Sequence, residues 1–338
     1  MSDLSTFGLC TGLREYTLNV QADEYPQKIL AREQVDTSQE SPIRKVQVVL
    51  TPSISLWANG NLLSVHPSGS FIKGTANRSG TDIDLFISLS PSATEDLYAV
   101  GAGKQVVAVD SYSSYPANAP RTKLSGYTPN IEAIAKYRPD LVVISDDMNH
   151  IVAQLGKLHI PVLVEPAAAN LAGVYAEIGQ VAKATGHEPG GKQVVTTIRR
   201  QVAAIVRSVP RPSKALSVYH ELDQTYYSAT SHTFIGQMYT LLGVQNIADK
   251  ASASSDYPQL SAEYIVASNP DLIVLADTVC CGQTRATVAA RPGWSNIAAV
   301  KTGEIVPIND SIASEWGPRI VLFLKAVASA VKTLEAQK

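Results

Sequence analysis

Residues 130–145, NIEAIAKYRPDLVVIS, and residues 261–276, SAEYIVASNPDLIVLA, are two versions of one phrase set about 130 residues apart. Each carries a glutamate near its start (Glu132, Glu263) and an isoleucine two residues on (Ile134, Ile265). Pro-Asp-Leu and a run of valine, isoleucine and leucine follow. The pattern predicts a short helix that stops before the proline, whose ring restricts the preceding residue. A strand apolar on both faces comes next, as suits a parallel sheet covered by helices. The two copies lie too far apart for a solenoid repeat. They predict two similar α/β lobes, and a cleft between such lobes is a place to hold a ligand.

Outward from these copies, helix and strand patterns alternate. Ile83–Leu89 is expected as a strand, then a helix in SPSATEDLYAVGAG with Ser or Thr caps and a glycine stop, then a strand at Gln105–Asp110. After the first copy come a helix near 152–159, a strand at 160–165 and a helix at 172–185. Pro189–Val209 is a longer helix whose Val194, Val195, Ile198, Val202, Ile205 and Val206 form one stripe. It is expected to join the lobes. The second lobe repeats the plan: a strand at 215–219, a helix at 234–242, the second copy, a strand at 304–307 and a closing helix from about Pro318. Ser41–Trp57 is helical in spacing but interrupted by Pro52.

A net charge of −2 gives no basic field for nucleic acid and no polybasic membrane anchor. With 45% apolar and 17% charged residues the chain is globular in composition. No apolar run approaches the roughly 18 to 20 residues that span a bilayer. The N-terminus lacks the basic start and apolar core of a signal peptide, so the chain as written is expected in the cytoplasm. Three cysteines make neither a disulfide framework nor a zinc site.

Aromatic residues gather in loops that follow strands: Tyr112 and Tyr115 in DSYSSYP, Tyr127 in SGYTP, Tyr226 and Tyr227 in DQTYYSAT, Tyr257 in SDYPQ, Trp316 in SEWGP. In an open α/β sheet, ligands bind beyond the carboxyl ends of the strands. Such rings suit a large planar guest, although tyrosine is also common in loops that bind nothing. Glu132 and Glu263 are either solvated helix-start carboxylates or, one per lobe, seats for arginines of a two-fold symmetric partner. His220 and His232 flank the Tyr226–Tyr227 loop, as ligand neighbours or as plain polar residues. The six histidines show no metal-ligand spacing.

From Ile87 onward, about three quarters of the chain resembles the cobalamin and ferric-siderophore binding proteins of bacterial ABC importers. The residues carrying the resemblance are ISLSPSATE (87–95), DSYSSYP, NIEAIAKYRPDLVV, YPQLSAEYIVASNPDLIV and WGPRI. It implies a class III periplasmic-binding fold: lobe one at 81–187, a bridging helix at 188–210 and lobe two at 211–338. It implies a non-catalytic, monomeric protein that needs no cofactor. Such a protein clamps cobalamin, a siderophore or haem and delivers it to the permease and ATPase subunits at the membrane. The resemblance assigns Glu132 and Glu263 to permease docking, and Tyr112, Tyr127 and Tyr257 to the cleft, with Tyr115, Tyr226, Tyr227 and Trp316 as further ligand-binding candidates. It also implies an extracytoplasmic location, against the reading of the N-terminus. Vicinal Cys280 and Cys281 in TVCCGQT resemble a subgroup pattern, either a vicinal disulfide or two small buried thiols.

Residues 1–80 resemble something else. PSGSFIKGTANRSGTDIDLFISL, with RKVQVVLTPSISLWANGNLL before it, is similar to a truncated polymerase-β-type nucleotidyltransferase of the cyclic-nucleotide synthase kind. There Gly69 and Ser70 would cradle a triphosphate, and Asp82 and Asp84, on one face of a strand, would hold Mg²⁺. A third carboxylate and the helical region completing that pocket are missing, so an inactive remnant is expected. ISLSPSATE satisfies both families and is the expected junction of a chimeric chain.

Overall fold

The computed structural model describes residues 84–251 and 255–337. The expected transferase-like extension 1–80, with Gly69 and Ser70, the expected helical stretch 41–57 and Asp82 all lie outside the described residues. Asp84 is half-buried just ahead of the first strand.

Among the described residues, eight short strands form two sheets. Phe86–Ser88 (β1), Val106–Val109 (β2), Leu141–Ile144 (β3) and Val162–Val164 (β4) run in the order β2-β1-β3-β4. Leu216–Glu221 (β5), Val244–Asn246 (β6), Leu272–Leu275 (β7) and Ile305–Pro307 (β8) run β6-β5-β7-β8. Every pairing is parallel. The two orders are the same order, so the duplicated phrase marks a duplicated sheet. In each, the chain reverses its direction of travel at the first strand. The switch point therefore lies between β1 and β3 in one sheet and between β5 and β7 in the other.

The helices are α1 (Pro91–Val100), α2 (Ile131–Ala135), α3 (Ile151–Gly156), α4 (Leu171–Ala184), α5 (Glu188–Ser208) and α6 (Phe234–Leu241). They continue as α7 (Ala262–Ser268), α8 (Arg285–Ala289), α9 (Ala298–Thr302), α10 (Asp310–Ser314) and α11 (Ile320–Ala336). Among the described residues, one compact unit holds 84–166 and 184–187, and a second holds 167–183 and 188–337. No described helix is long and apolar enough to cross a membrane.

The two phrases fold alike. Asn130 and Ser261 cap α2 and α7, their side chains accepting the N–H of Ala133 and Tyr264. Ile134 and Ile265, both fully buried, enter equivalent cores with Val142 and Ile144 in one unit and Ile273 and Leu275 in the other. The stop before proline differs from expectation. Arg138 and Asn269 are not extended but left-handed, at φ 49° and 46°. Asn269 turns its N–H back onto the carbonyls of Ile265 and Val266, closing the helix as a left-handed cap does.

The aspartate after each proline has a task that the pattern did not reveal. Asp140 Oδ2 accepts the Leu85 N–H at 3.0 Å, while its own N–H donates to the Leu85 carbonyl at 2.8 Å. Asp271 does the same with Ser217, at 2.9 and 3.0 Å, and also accepts the Ser217 hydroxyl. In both units Pro-Asp thus ties the start of the third strand to the start of the first.

The stripe on α5 is borne out, with Ile198 and Val202 buried on it. At Gly191 a Cβ would lie 2.5 Å from the Ala182 Cβ, so only glycine lets α5 approach α4 so closely. The far end of the chain packs α11 against α5 and α6. Strand β6 and helices α8, α9 and α10 were not anticipated. At three to five residues they are too short to show a period.

Candidate functional site

In the first unit the carboxyl end of β2 opens into a loop running to α2. Asp110, almost fully buried, shapes its start by accepting the Ser113 N–H at 2.8 Å. Ser113 continues a line of hydroxyls in which Thr94 meets both Ser113 and Ser88 at 2.8 Å. Gly126 lies against β1, where a Cβ would come within 2.3 Å of the Leu89 carbonyl oxygen. Ser125 then accepts the N–H groups of Tyr127 and Thr128. These contacts hold Tyr127 edge-on to Tyr112, ring centres 5.6 Å apart. Tyr112, Tyr115 and Tyr127 are 39%, 47% and 57% exposed, an unusual investment of aromatic surface facing solvent. Burial pushes the Asp110 carboxyl up. The Tyr127 phenol is also raised, first by burial and then by Tyr112 and Asp110.

In the second unit the loops after β5 and β6 are knitted together. Leu260 donates its N–H to the Tyr226 carbonyl, Ser228 to that of Pro258, and Gln259 Nε2 to that of Thr225. Tyr226, Tyr227 and Tyr257, all half-buried, therefore share one loop cluster. Tyr226 adopts φ 70° and lies 5.9 Å from the Trp294 ring at an interplanar angle of 31°. Burial, then the neighbouring Asp256, pushes the Tyr257 phenol up to about 12.

Beneath Tyr226 sits a buried ionic cluster at the β5/β7 switch point. Glu221, the last residue of β5, accepts both terminal nitrogens of Arg291 at 2.6 Å. The guanidinium also donates to Gln283 Oε1 at 2.9 Å, and lies 4.6 Å from the Trp294 ring centre and 5.4 Å from that of Tyr226. Asp277, two residues beyond β7, is fully buried beside Glu221. Burial first, and the Glu221 charge second, push its carboxyl up to about 8.

Trp316, in the turn between α10 and α11, meets the Phe234 ring edge-on at 5.9 Å. It also hydrogen-bonds Glu177 of α4, whose carboxyl burial drives up to about 7 while that bond works the other way. Glu132 and Glu263 are exposed on the first turns of α2 and α7, at equivalent positions of the two units.

The histidines separate. His220 is a core residue: it is fully buried, 2.6 Å from the Tyr239 hydroxyl, and burial lowers it to about 3, which keeps it neutral. His232 is exposed, 3.4 Å from Asp256. Cys280 is exposed and Cys281 half-buried, which sets aside the buried-pair reading. Burial, then Cys281 and Asp310, raise the Cys280 thiol. Among the described residues no group of three or more His, Cys, Asp or Glu is placed to hold a metal ion.

The expected tyrosines thus stand in loops that follow strands, three in the first unit and three in the second, whereas Trp316 follows α10. Asp277, Glu221 and Arg291 were missed. One signal was available: Asp110, Glu165, Glu221 and Asp277 each close an apolar strand run with a carboxylate.

Comparison with known proteins agrees with this architecture. The periplasmic binding protein family matches residues 87–311. A cobalamin-binding protein of Halobacterium salinarum is 32% identical over 266 residues, covering 76% of this chain and 71% of the relative. A solved possible iron-binding, periplasmic solute-binding protein of Staphylococcus epidermidis is 25% identical, with a TM-score of 0.63, covering 73% of this chain and 97% of its own. The periplasmic heme-binding protein of Vibrio cholerae, 24% identical over 73% of this chain and 98% of its own, shares the fold at a TM-score of 0.65. The two parallel α/β sheets of one strand order, the aromatic loops at their carboxyl ends and these matches give one answer: the chain belongs to the periplasmic binding protein family.

Proposed function

We propose that this protein is the solute-binding component of an ABC importer. It captures a corrinoid such as cobalamin, or an iron complex such as haem or a siderophore, and hands it to a permease outside the cytoplasm. The observation that carries the reading is the 32% identity over 266 residues to a cobalamin-binding protein, which ranks the corrinoid first. The chemistry of the loops supports it. Rings such as Tyr112, Tyr127, Tyr226, Tyr257 and Trp316 each bring about 150–250 Å² of largely apolar surface. At about 25 cal/mol per Å², each fully covered ring contributes about 4–6 kcal/mol gross before ordering costs. Tyr115 and Tyr227 complete the set. Binding of this kind needs no nucleophile and no resident cofactor.

Glu132 and Glu263 are the proposed docking carboxylates, each accepting arginines of the permease, and residues 188–210 the connection between lobes 81–187 and 211–338. Titration with cyanocobalamin, hemin and a ferric siderophore tests the reading. One of the three should quench tyrosine and tryptophan emission saturably at a one-to-one ratio. Silence with all three would remove the proposal.

A further inference from the structure

Glu221, Asp277, Arg291 and Tyr219 form a buried cluster whose charges do not balance if both acids are ionised. Arg291 is the cation in contact, and three of its five N–H donors go to the two Glu221 oxygens and to Gln283, none of them to Asp277. Asp277 is fully buried, and neither of its carboxyl oxygens has a donor among the described residues. A buried carboxylate without donors or counterion is strongly disfavoured. The group lying against Asp277 is the Glu221 carboxyl, and two carboxyls hydrogen-bond only when one carries a proton.

We infer that Asp277 is a neutral acid that donates its proton to Glu221, and that this pair, through Arg291 and the buried Trp294 ring, positions Tyr226 for the ligand. The assignment of Tyr226 to ligand rests on the function proposed above; the proton and its effect on the ring stack do not. The other charged or titratable groups facing Asp277 are Tyr219 on β5, Arg291 and Asp310 in α10. The Asp277 main chain reinforces the arrangement, since its carbonyl accepts the N–H groups of Cys281 and Gln283, and Gln283 in turn holds Arg291. Loss of the Asp277 proton would set two buried carboxylates against one guanidinium. Arg291 would then be drawn from its place against the Tyr226 and Trp294 rings.

Two measurements test this. In ligand-free protein carrying W57F and W316F, Trp294 is the remaining one of three tryptophans. Its emission should change with a one-proton midpoint near pH 8, and Asp277→Asn, which keeps a neutral donor toward Glu221, should abolish the change. In the otherwise unaltered protein, affinity for cyanocobalamin should fall about tenfold between pH 7 and pH 9, whereas the Asp277→Asn protein should hold its affinity level across that range. Should Asp277→Asn fail to fold, Glu221→Gln serves instead, and should move the emission midpoint down by more than one pH unit. Emission that is flat with pH, or that titrates alike with and without Asp277, overturns the inference. A cyanocobalamin affinity that falls equally in both proteins overturns the positioning role. If the emission transition is present and none of cyanocobalamin, hemin and the ferric siderophore binds at any pH, the ligand assignment fails while the proton-held stack stands.

Discussion

Tyr127 and Tyr226 represent two ways of presenting an aromatic ring. Tyr127 is held by backbone, with Gly126 against Leu89 and Ser125 gripping two N–H groups, whereas Tyr226 is held by charge through Arg291. Removing either ring by alanine should weaken ligand binding roughly tenfold to a hundredfold, as expected for a partly covered aromatic contact of about 1.5–3 kcal/mol. Isothermal titration would measure it. Glu177 gives a pH signature of its own. Its folded pKa is raised to about 7, above the unfolded value near 4.5, so the folded state keeps a proton that the unfolded chain releases. Stability should therefore fall as pH rises from about 5 to 7, and Glu177→Gln should remove that slope in urea midpoints taken at pH 5 and pH 8. Of these residues the tyrosines were legible because loop aromatics stand out. Asp277, Glu221 and Arg291 were not, because their meaning lies in contacts across 56 and 70 positions of chain. His220 was misjudged for the same reason: nothing local says that Tyr239 waits inside to take its nitrogen.

At the scale of elements, the Pro-Asp pair carries more than a helix stop. Asp140→Ala would leave the Leu85 N–H without its acceptor, and Asp271→Ala would do the same to the Ser217 N–H and hydroxyl. Each should cost about 1–3 kcal/mol in chemical denaturation, the range for an orphaned buried donor. Similar losses at both positions would mark them as one device used twice. Most elements could be read from sequence because apolar runs closed by carboxylates or proline are unambiguous strands, and the α5 stripe is unambiguous helix. Strand β6 was invisible: Val244–Asn246 has three residues, and what makes it a strand is its neighbour β5. The left-handed turns at Arg138 and Asn269 were likewise hidden, since neither residue type demands positive φ.

For the whole molecule, the two-lobe plan followed from one duplicated phrase, and the matching strand orders support it. Glu132→Ala with Glu263→Ala should leave cyanocobalamin affinity unchanged while lowering ATP hydrolysis by the importer when the loaded protein is added. A fall in affinity instead would place these carboxylates at the ligand. The symmetry of the two sheets also bears on how the chain comes to be folded. All hydrogen-bonded strand pairs of the first sheet lie between Phe86 and Val164, and all those of the second between Leu216 and Pro307. The first sheet can thus assemble on the ribosome before the second has been translated, so that synthesis delivers the two halves in succession.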